Sequence, residues 1–399
     1  GGLRSGQYSV AESQPVGYLD GLDSAGTVAG ATVGTAENPG DRIRDIRLRW
    51  GDAGQRYDFG ELLPGSIAGL VHADTDRDCL LDADEQPLAG VTIEVLDASG
   101  RVLAVTHTDA DGRYRFDGLA PGTYTVREQQ PAGYFQGGQR AGSGGGDASL
   151  EDVISAIALG SGQSLTDYDF CEVPPSSLTG RVYLDLNQNC RLDDGEQPLS
   201  GVTIQLLDSA GRVAASTATD AAGRYRFESL RPGQYAVQEV QPAGYLQGCQ
   251  RAGSHGGDAA VDDVISGIGI PAGQALTDYD FGELPPSSLA GRVYLDANQN
   301  CRGDDGEQPL SGVSVRLLDS AGRIAASTTT DAAGRYRFES LRPGQYAVQE
   351  IQPAGYFQGC QRAGSHGGDA AVDDVISGIS IPAGQALTDY DFGELPPSS

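Results

Sequence analysis

Hydrophobic residues alternate with polar ones in short runs along the chain, and Gly, Pro, Asp or Asn residues bound most of these runs. In residues 178–184 the even-numbered positions are Leu, Gly, Val and Leu, whereas the odd-numbered positions are Thr, Arg and Tyr. A period of two residues places alternate side chains on opposite faces of a β-strand. The pattern therefore predicts a half-buried strand that ends at Asp185.

Further strands are predicted at 202–206, 225–227, 235–239, 264–270 and 276–281, with turn signals such as Asp220–Gly223 and Pro232-Gly233 between them. The glycine-rich residues 244–260 lack this alternation and are interpreted as a long surface loop. About seven short strands with frequent turns favour an all-β fold of the immunoglobulin-like or prealbumin-like β-sandwich type.

This pattern occurs three times at a spacing of 111 residues, with equivalent strands starting at Ile67, Leu178 and Leu289. A unit of about 100 residues can bury its own core, so each copy is predicted to be a domain. The predicted domains span 66–176, 177–287 and 288–399. Short Pro-Pro linkers predict that they form an elongated rod.

Residues 1–65 resemble the second half of one copy, because the motif YDFGEL occurs at both Tyr57 and Tyr279. We expect this segment to be the C-terminal half of a further domain. It is either incomplete or completed by a strand that another chain supplies.

An acidic twelve-residue loop follows the first strand of every copy. Oxygen-bearing side chains occupy loop positions 1, 3, 5, 9 and 12, and a main-chain carbonyl is expected to contribute at position 7, which is the pattern of calcium loops. Calcium is favoured over magnesium because a flexible cage of many oxygens suits the larger ion. The predicted ligands are Asp74, Asp76, Asp78, Leu80, Asp82 and Glu85; Asp185, Asn187, Asn189, Arg191, Asp193 and Glu196; and Asp296, Asn298, Asn300, Arg302, Asp304 and Glu307.

Two observations compete with this interpretation. Position 6 of the loop is Cys rather than Gly in every copy, and a positive φ at a residue with a side chain costs on the order of 1 kcal/mol. Asp and Asn are also common in exposed turns, where they bond to the backbone. Repetition of the ligand spacing in all three copies favours calcium. Asp220, Asp278 and Asp280 are a candidate for a second ion, although turn and surface roles are favoured for them.

The six cysteines divide into two per copy, and the incomplete N-terminal segment has none. Pairing across domain boundaries would leave Cys79 without a partner in that segment, so the expected disulfides lie within domains and indicate an oxidising, extracellular location. Free buried thiols are the alternative. The expected pairs are Cys79 with Cys171, Cys190 with Cys249, and Cys301 with Cys360. Since Cys171 corresponds to Gly282 and Gly138 to Cys249, both positions are expected near the loop.

The chain carries a net charge of −28, which disfavours binding to nucleic acid. All its basic residues other than histidine are Arg, because the sequence has no Lys. No run of 18 apolar residues predicts a membrane segment. The four histidines do not recur with a nucleophile and a base, so they are interpreted as surface residues and no enzymatic activity is expected. The sole tryptophan, Trp50, is interpreted as a core or rim residue rather than as a binding anchor.

Three motifs resemble the B-type domains of bacterial surface adhesins, of the serine-aspartate-repeat and collagen-adhesin B classes. They are TDxxGxYxFxxLxPGxY from Thr219, QPAGY from Gln241 and YDFGE from Tyr279. The resemblance implies a prealbumin-like or immunoglobulin-like sandwich at the bacterial cell surface, in a spacer, stalk or pilus-like part. Many relatives carry a Lys–Asn isopeptide crosslink, which a chain without Lys cannot form.

These observations favour a structural extracellular stalk or filament segment of a large bacterial surface protein, built from calcium-stabilised, disulfide-bonded repeats. An adhesin that binds a host or matrix ligand is the alternative, and a non-catalytic accessory region of a secreted enzyme is the less favoured one. The expected partners are neighbouring copies of the chain or further B-type domains, and an unidentified extracellular ligand is a further candidate.

Overall fold

The computed structural model describes residues 2–396, so Gly1 and the last three residues of the predicted third domain lie outside the described residues. Every regular element within this range is a β-strand, and the chain has no helix there that could cross a membrane. The N-terminal segment contains β1–β8, which are Gly6–Ala11, Leu19–Asp20, Thr27–Val28, Ala31–Thr32, Thr35–Glu37, Arg42–Leu48, Gly54–Gln55 and Glu61–Leu62.

Three further sets of strands follow, one in each repeat. In repeat 1, β9–β19 are Gly65–Ala73, Gln86–Pro87, Thr92–Asp97, Val102–His107, Arg113–Leu119, Gly122–Glu128, Phe135–Arg140, Asp147–Leu150, Val153–Leu159, Ser164–Leu165 and Asp169–Val173. In repeat 2, β20–β29 are Ser176–Leu184, Thr203–Leu207, Val213–Ala218, Arg224–Leu230, Gly233–Glu239, Leu246–Arg251, Asp258–Val261, Val264–Ile270, Ala275–Leu276 and Asp280–Leu284. In repeat 3, β30–β39 are Ser287–Leu295, Ser314–Leu318, Ile324–Thr329, Arg335–Leu341, Gly344–Glu350, Phe357–Arg362, Asp369–Val372, Val375–Ile381, Ala386–Leu387 and Asp391–Leu395.

Each repeat is built from two sheets. In repeat 2 one sheet has the order β23-β20-β29-β25, with β28 also paired to β20, and the other has the order β22-β21-β24-β27-β26. Repeat 3 has the same two sheets, and repeat 1 differs only by the additional short strand β10 beside β9. The side chains that alternate inward from both sheets form one hydrophobic core in each repeat. This is a tandem β-sandwich architecture.

The first and last long strands of a repeat run parallel to each other. In repeat 2, Val182 pairs with Phe281 and Leu184 pairs with Glu283. Gly180 lies in the first strand at a point where a Cβ atom would stand 1.8 Å from the carbonyl oxygen of Tyr279, so only glycine fits there. That carbonyl accepts a hydrogen bond of 2.6 Å from the Tyr225 hydroxyl. The close approach places the start of the acidic loop directly beside the last strand.

Two compact units make up the described chain. The first contains the N-terminal segment, repeat 1 and the short segment Pro271–Gln274, and the second contains the remainder. In the N-terminal segment three small sheets have the orders β1-β6-β5, β2-β8 and β4-β3-β7. Its buried side chains include Val28, Ile43 and Ile46.

Several expectations from the sequence are wrong in detail. Residues 244–260 are not one loop, because they contain β25 and β26, and the predicted strand 276–281 is two strands, β28 and the start of β29. Strand β22 was not anticipated, since its sequence VAASTA is largely exposed. Trp50 is not a core residue, because 94% of its surface is exposed. His72 is fully buried rather than a surface residue.

Candidate metal centre

The first strand of each repeat delivers an aspartate to the start of the acidic loop and buries it. The backbone N–H of Asp74 donates to the carbonyl oxygen of Glu172 at 2.8 Å, which continues the pairing of β9 with β19. The equivalent bonds run from Asp185 to Glu283 at 2.9 Å and from Asp296 to Glu394 at 2.8 Å. All three aspartates are at most 2% exposed. Loop position 1 is therefore fixed by the sheet rather than by the loop.

The loop backbone turns around this buried carboxylate. At position 6 the N–H of Cys79 donates to Oδ2 of Asp74 at 3.1 Å, and the equivalent bonds of Cys190 and Cys301 are each 2.9 Å. The φ angles of these cysteines lie between 58° and 59°. The loop thus adopts the left-handed conformation that glycine usually supplies, and the bond to the aspartate helps to offset its cost.

The glutamate at position 12 closes the loop. In repeat 1 the carboxylate of Glu85 accepts hydrogen bonds from the N–H of Thr75 at 2.6 Å and from the N–H of Asp82 at 3.2 Å. Glu196 accepts equivalent bonds of 2.8 and 2.9 Å in repeat 2. Glu307 accepts bonds of 3.1 and 3.0 Å in repeat 3. The carboxylates at positions 1 and 12 therefore accept hydrogen bonds from the same backbone N–H groups of the loop in all three copies.

In repeat 1 the remaining ligand positions are carboxylates that crowd together. Ligand oxygens of Asp76, Asp78 and Asp82 lie within 4.8 Å of one another, and so do those of Asp74, Asp76 and Glu85. Desolvation and then the charges of Asp78 and Asp76 raise the pKa of the Asp82 carboxyl. A divalent cation bound among these oxygens would relieve this repulsion, so the donor set fits calcium.

In repeats 2 and 3 asparagine replaces aspartate at positions 3 and 5. The amide groups of Asn187 and Asn189 donate to Oδ2 of Asp193 at 2.8 and 2.6 Å, and these bonds lower the pKa of that carboxyl. The equivalent bonds to Asp304 are 2.9 and 2.6 Å. These loops therefore have an internal network of hydrogen bonds that repeat 1 lacks. Rotation of the amides by 180° would offer their carbonyl oxygens to an ion instead.

Position 7 contributes through its backbone. The N–H groups of Leu80, Arg191 and Arg302 donate to the position-5 side chains at 2.8, 2.8 and 2.9 Å. The ligand role of their carbonyl oxygens stays a prediction. Positions 1, 3, 5, 9 and 12 of repeat 1 thus have ligand oxygens within 4.8 Å of one another in two overlapping groups. In repeats 2 and 3 hydrogen bonds link positions 3, 5, 9 and 12.

A disulfide ties each loop to the neighbouring sheet. Cys79 is joined to Cys171, Cys190 to Cys249 and Cys301 to Cys360, with Cα–Cα distances of 5.4, 5.9 and 5.8 Å. Gly138 pairs with Cys171 in the sheet register, as Cys249 pairs with Gly282, which explains how two different positions serve the same loop cysteine. Sγ of Cys249 lies 3.2 Å from Oδ2 of Asp185, but a disulfide sulfur is not a thiolate ligand.

The second predicted cluster has other roles. Asp220 accepts bonds of 2.8 Å from the N–H groups of Ala222 and Arg224 and so closes a turn. Asp280 accepts from the N–H of Arg181 at 2.9 Å and from the guanidinium of Arg251 at 2.7 Å. Asp278 accepts a bond of 2.8 Å from the hydroxyl of Thr277. The three aspartates therefore have hydrogen-bond partners within the protein.

The sequence reasoning missed a set of buried glutamates. Glu128 and Glu172 are 3% and 0% exposed, and Glu239, Glu283, Glu350 and Glu394 are buried in the same way. Desolvation raises the pKa of all six carboxyls. A signal was present, because Glu239 continues the inward alternation of Tyr235 and Val237.

His72 is a further buried polar residue without a sequence signal. Its Nε2 lies 3.6 Å from Oε2 of Glu85, and both side chains are 1% exposed. Tyr183 and Tyr294 occupy the equivalent positions in repeats 2 and 3 and are also buried. This position is therefore buried in all three repeats. Its side chain is an imidazole in repeat 1 and a phenol in repeats 2 and 3.

Comparisons with known proteins agree with this architecture. A family model described as the SdrD B-like domain matches residues 65–171, 176–282 and 287–394. Serine-aspartate repeat-containing protein F of Staphylococcus epidermidis is 31% identical over 98% of this chain, which covers 22% of that protein. Serine-aspartate repeat-containing protein D of Staphylococcus aureus strain Newman is 31% identical over 88% of this chain, which covers 25% of it.

The chain thus spans about a quarter of the length of these relatives. Among solved structures, the Bacillus anthracis TIE protein aligns with 90% of this chain and 57% of its own, at 16% identity and a TM-score of 0.39. SdrD B-like repeats are non-catalytic segments of bacterial cell-surface proteins. With three matched copies that cover most of its length, the chain belongs to the SdrD B-like domain family.

Proposed function

We propose that this chain is a calcium-stabilised stalk or filament segment of a large surface protein. The observation that carries the proposal is the acidic loop, which recurs in all three repeats with the same backbone hydrogen bonds to positions 1 and 12. In this role calcium neutralises clustered carboxylates at the start of each domain. Extracellular modules of this kind bind calcium with dissociation constants of about 0.1 to 1 mM.

The cation would act on the whole repeat through the contacts that hold the loop. Position 1 is bonded to the last strand through the backbone. Through the disulfide, position 6 is bonded to the last strand in repeat 1 and to the strand that pairs with the last strand in repeats 2 and 3. Fixing the loop therefore fixes the end of the sandwich. A disulfide that closes a segment of this size adds about 4 kcal/mol in the chain-entropy model.

Contacts at the linkers support a stalk in which successive domains do not move freely. Leu63 is bonded to repeat 1 through both of its backbone groups. Its N–H donates to Oγ of Ser161 at 2.9 Å, and the N–H of Gly162 donates to its carbonyl oxygen at 2.9 Å. The N–H of Gly384 in repeat 3 donates to the carbonyl oxygen of Pro285 at 3.1 Å. Under this proposal each repeat is a separate domain, and its partners are neighbouring copies of the chain or further B-type domains.

The test compares the chain with a variant that lacks the loop glutamates, E85Q/E196Q/E307Q. Limited proteolysis and thermal unfolding are followed in calcium and in a calcium chelator. We expect the chelator to lower the unfolding temperature of the wild-type chain and to expose the loops to cleavage, and the variant to resemble the chelated wild type. Equal stability and cleavage in both conditions for the wild-type chain would refute a structural role for calcium.

One observation favours a second function, adhesion to an extracellular ligand. Trp50 is 94% exposed, and Val16 and Leu22 in the same segment are 99% and 79% exposed. Exposed aromatic side chains are frequent anchors of binding sites. The chain is tested for binding to a panel of glycans and matrix proteins. Binding that the substitution W50A abolishes would support adhesion, whereas no binding would contradict it.

A further inference from the structure

We propose that repeats 2 and 3 each bind an acidic saccharide in a groove on the outer face of one sheet, through a pair of arginines. The pair is Arg181 and Arg224 in repeat 2, and Arg292 and Arg335 in repeat 3. The ligand class is a sugar chain with isolated carboxylates, as in a uronic acid polymer. Neither Trp50 nor any predicted ligand of the acidic loops belongs to this site.

The groove recurs at the same place in every repeat. In repeat 2 it has a volume of about 740 Å³ and lies over strand β20, between the turn at Asp220 and residues 277–278. Equivalent residues line grooves of about 790 Å³ in repeat 1 and about 420 Å³ in repeat 3. Three copies indicate that the fold itself forms the groove.

Two arginines lie side by side on the floor of this groove. In repeat 3, Arg292 on β30 is directly opposite Arg335 on β33 in the sheet register. Arg181 and Arg224 are the equivalent residues of repeat 2, and both line its groove. In each strand they alternate with buried residues, so they face away from the core. Like charges that are directly opposite on neighbouring strands destabilise a sheet, and an anion bound between them would remove that repulsion.

The arginine pair of repeat 2 is not neutralised by the repeat itself. The ion pairs in that repeat involve Arg212, Arg226 and Arg251. Asp280 also lines the groove, but its carboxylate bonds to the guanidinium of Arg251. Two guanidinium groups of the groove, those of Arg181 and Arg224, therefore remain available to a ligand.

Repeat 3 has the same pair in a weaker form, and repeat 1 lacks it. Nε of Arg335 lies 3.5 Å from Oδ2 of Asp331, and both side chains are more than half exposed. The described ion pairs of repeat 3 do not include Arg292. In repeat 1, Leu70 takes the place of the first arginine and is opposite Arg113. Repeat 1 thus has the groove without the pair of charges.

The ends of the groove indicate which anion fits. Asp220 and Asp278 are exposed there, and each uses one oxygen for bonds within its own turn or segment. The other oxygen of each can accept a hydroxyl group from a ligand. Guanidinium groups bind carboxylates through paired hydrogen bonds. A central carboxylate with hydroxyl groups on both sides is the chemistry of an acidic sugar, and any further negative charge would meet these aspartates.

The floor of the groove favours a sugar over an extended peptide. Strand β20 pairs with β23 on one side and with β28 and β29 on the other. A peptide that binds as an added strand needs an unpaired strand edge, which β20 does not offer. Recognition in the groove therefore depends on side chains.

Calorimetric titration of the full chain with a short oligosaccharide of alternating glucuronic acid and N-acetylglucosamine tests the proposal. We expect one oligosaccharide to bind to repeat 2 and one to repeat 3. The variant R181L/R292L introduces the leucine that repeat 1 has at this position, and it should bind about tenfold more weakly or less. The control R212L/R323L removes arginines from exposed turns outside the grooves and should bind as the wild type does.

The substitution L70R gives the converse test, because it completes the pair with Arg113 and should add a binding site in repeat 1. Wild-type affinity in folded R181L/R292L would overturn the proposal, and so would the absence of an added site in L70R. If R181L/R292L does not fold, L70R decides the question alone. Equal binding of a neutral oligosaccharide, or of a peptide with the same charge, would overturn the ligand class. W50A should bind as the wild type does, and loss of binding in W50A would place the site elsewhere.

Discussion

At the scale of single residues, the three loops differ in how they balance charge. Repeat 1 has aspartate at positions 3 and 5, whereas repeats 2 and 3 have asparagine there, and those amides donate to the aspartate at position 9. An internal network of donors offsets the repulsion between carboxylates when no ion is bound, and a loop with only carboxylates at these positions lacks that offset. Repeat 1 should therefore depend most strongly on calcium.

The double substitution D76N/D78N tests this difference. It gives repeat 1 the side chains of repeat 2, so we expect its calcium affinity to fall by roughly tenfold because two ligand charges are lost. Its stability without calcium should rise. Calcium titration and thermal unfolding in a chelator measure both effects. The reverse change N187D/N189D is the matched control and should make repeat 2 more dependent on calcium, and identical behaviour of all three proteins would contradict the argument.

The position of the second cysteine can also be exchanged. A Cβ atom at Gly138 would contact nothing within 4 Å, and the equivalent position carries Cys249 in repeat 2. We expect C171G alone to destabilise repeat 1 by about 2 to 4 kcal/mol through loss of the disulfide. G138C/C171G should recover most of that stability. Thiol titration and denaturant unfolding measure the outcome, and a double variant with two free thiols would show that the two positions are not equivalent.

At the scale of strands, the buried glutamates predict an unusual pH dependence in the absence of calcium. Burial raises the pKa of the Glu239 and Glu350 carboxyls above their ordinary value of 4.5. Below that pH a glutamate is protonated in both the folded and the unfolded chain. As the pH rises above it, the unfolded chain releases the proton while the buried carboxyl retains it, so the folded state loses stability.

We therefore expect the urea midpoint of the calcium-free chain to fall as the pH rises from about 4.5 towards neutrality. Each repeat has two buried glutamates, and the variant E128Q/E239Q/E350Q lacks the first of the two in every repeat. Its urea midpoint should therefore fall less over the same pH range. The exposed carboxylates contribute equally to the pH dependence of both proteins. Their contribution therefore cancels when the midpoint of the variant is subtracted from that of the wild type. Parallel curves for the two proteins would show that these glutamates do not titrate in the folded chain as argued.

The strands also show how far the sequence predicts the fold. Runs with clear alternation, such as Val264–Ile270, were predicted with correct bounds because one face is apolar. Strand β25, with the sequence LQGCQR, was not predicted, because glycine and glutamine replace the apolar face. Its pairing depends on a strand that is distant in sequence instead, since β25 pairs with β29. Gln250 also donates its amide to the carbonyl oxygens of Ala259 and Val261 at 2.7 and 2.9 Å.

The loop spacing was predictable because its ligand positions are local in sequence. The contact among the buried glutamates was not predictable, because Glu239 and Glu283 lie on strands that are distant in sequence. Only the burial of Glu239 had a local signal, in the inward alternation that it continues. His72 illustrates the same limit, since its burial beside Glu85 depends on packing between the strand and the loop. Sequence periodicity indicates which strands form and which faces they bury, whereas the contacts between distant residues depend on tertiary packing.

At the scale of the whole molecule, the proposed stalk depends on how firmly one repeat holds the next. Within the second unit, Nη1 of Arg342 in repeat 3 donates to the carbonyl oxygen of Gln247 in repeat 2 at 2.7 Å. Both residues lie outside the two hydrophobic cores. This bond therefore contributes to the orientation of the repeats rather than to their folding.

The substitution R342A separates these two effects. An exposed hydrogen bond of this kind contributes about 1 kcal/mol or less, so the unfolding temperature of each repeat should change little. The distribution of orientations between repeats 2 and 3 should broaden, because a contact that spans the junction is lost while the Pro285–Gly384 contact remains. Small-angle scattering and the distance between two spin labels, one in each repeat, measure that distribution. R323A removes the same charge from an exposed turn of repeat 3 and should leave it unchanged. A distribution as narrow in R342A as in R323A would mean that the linker alone sets the angle.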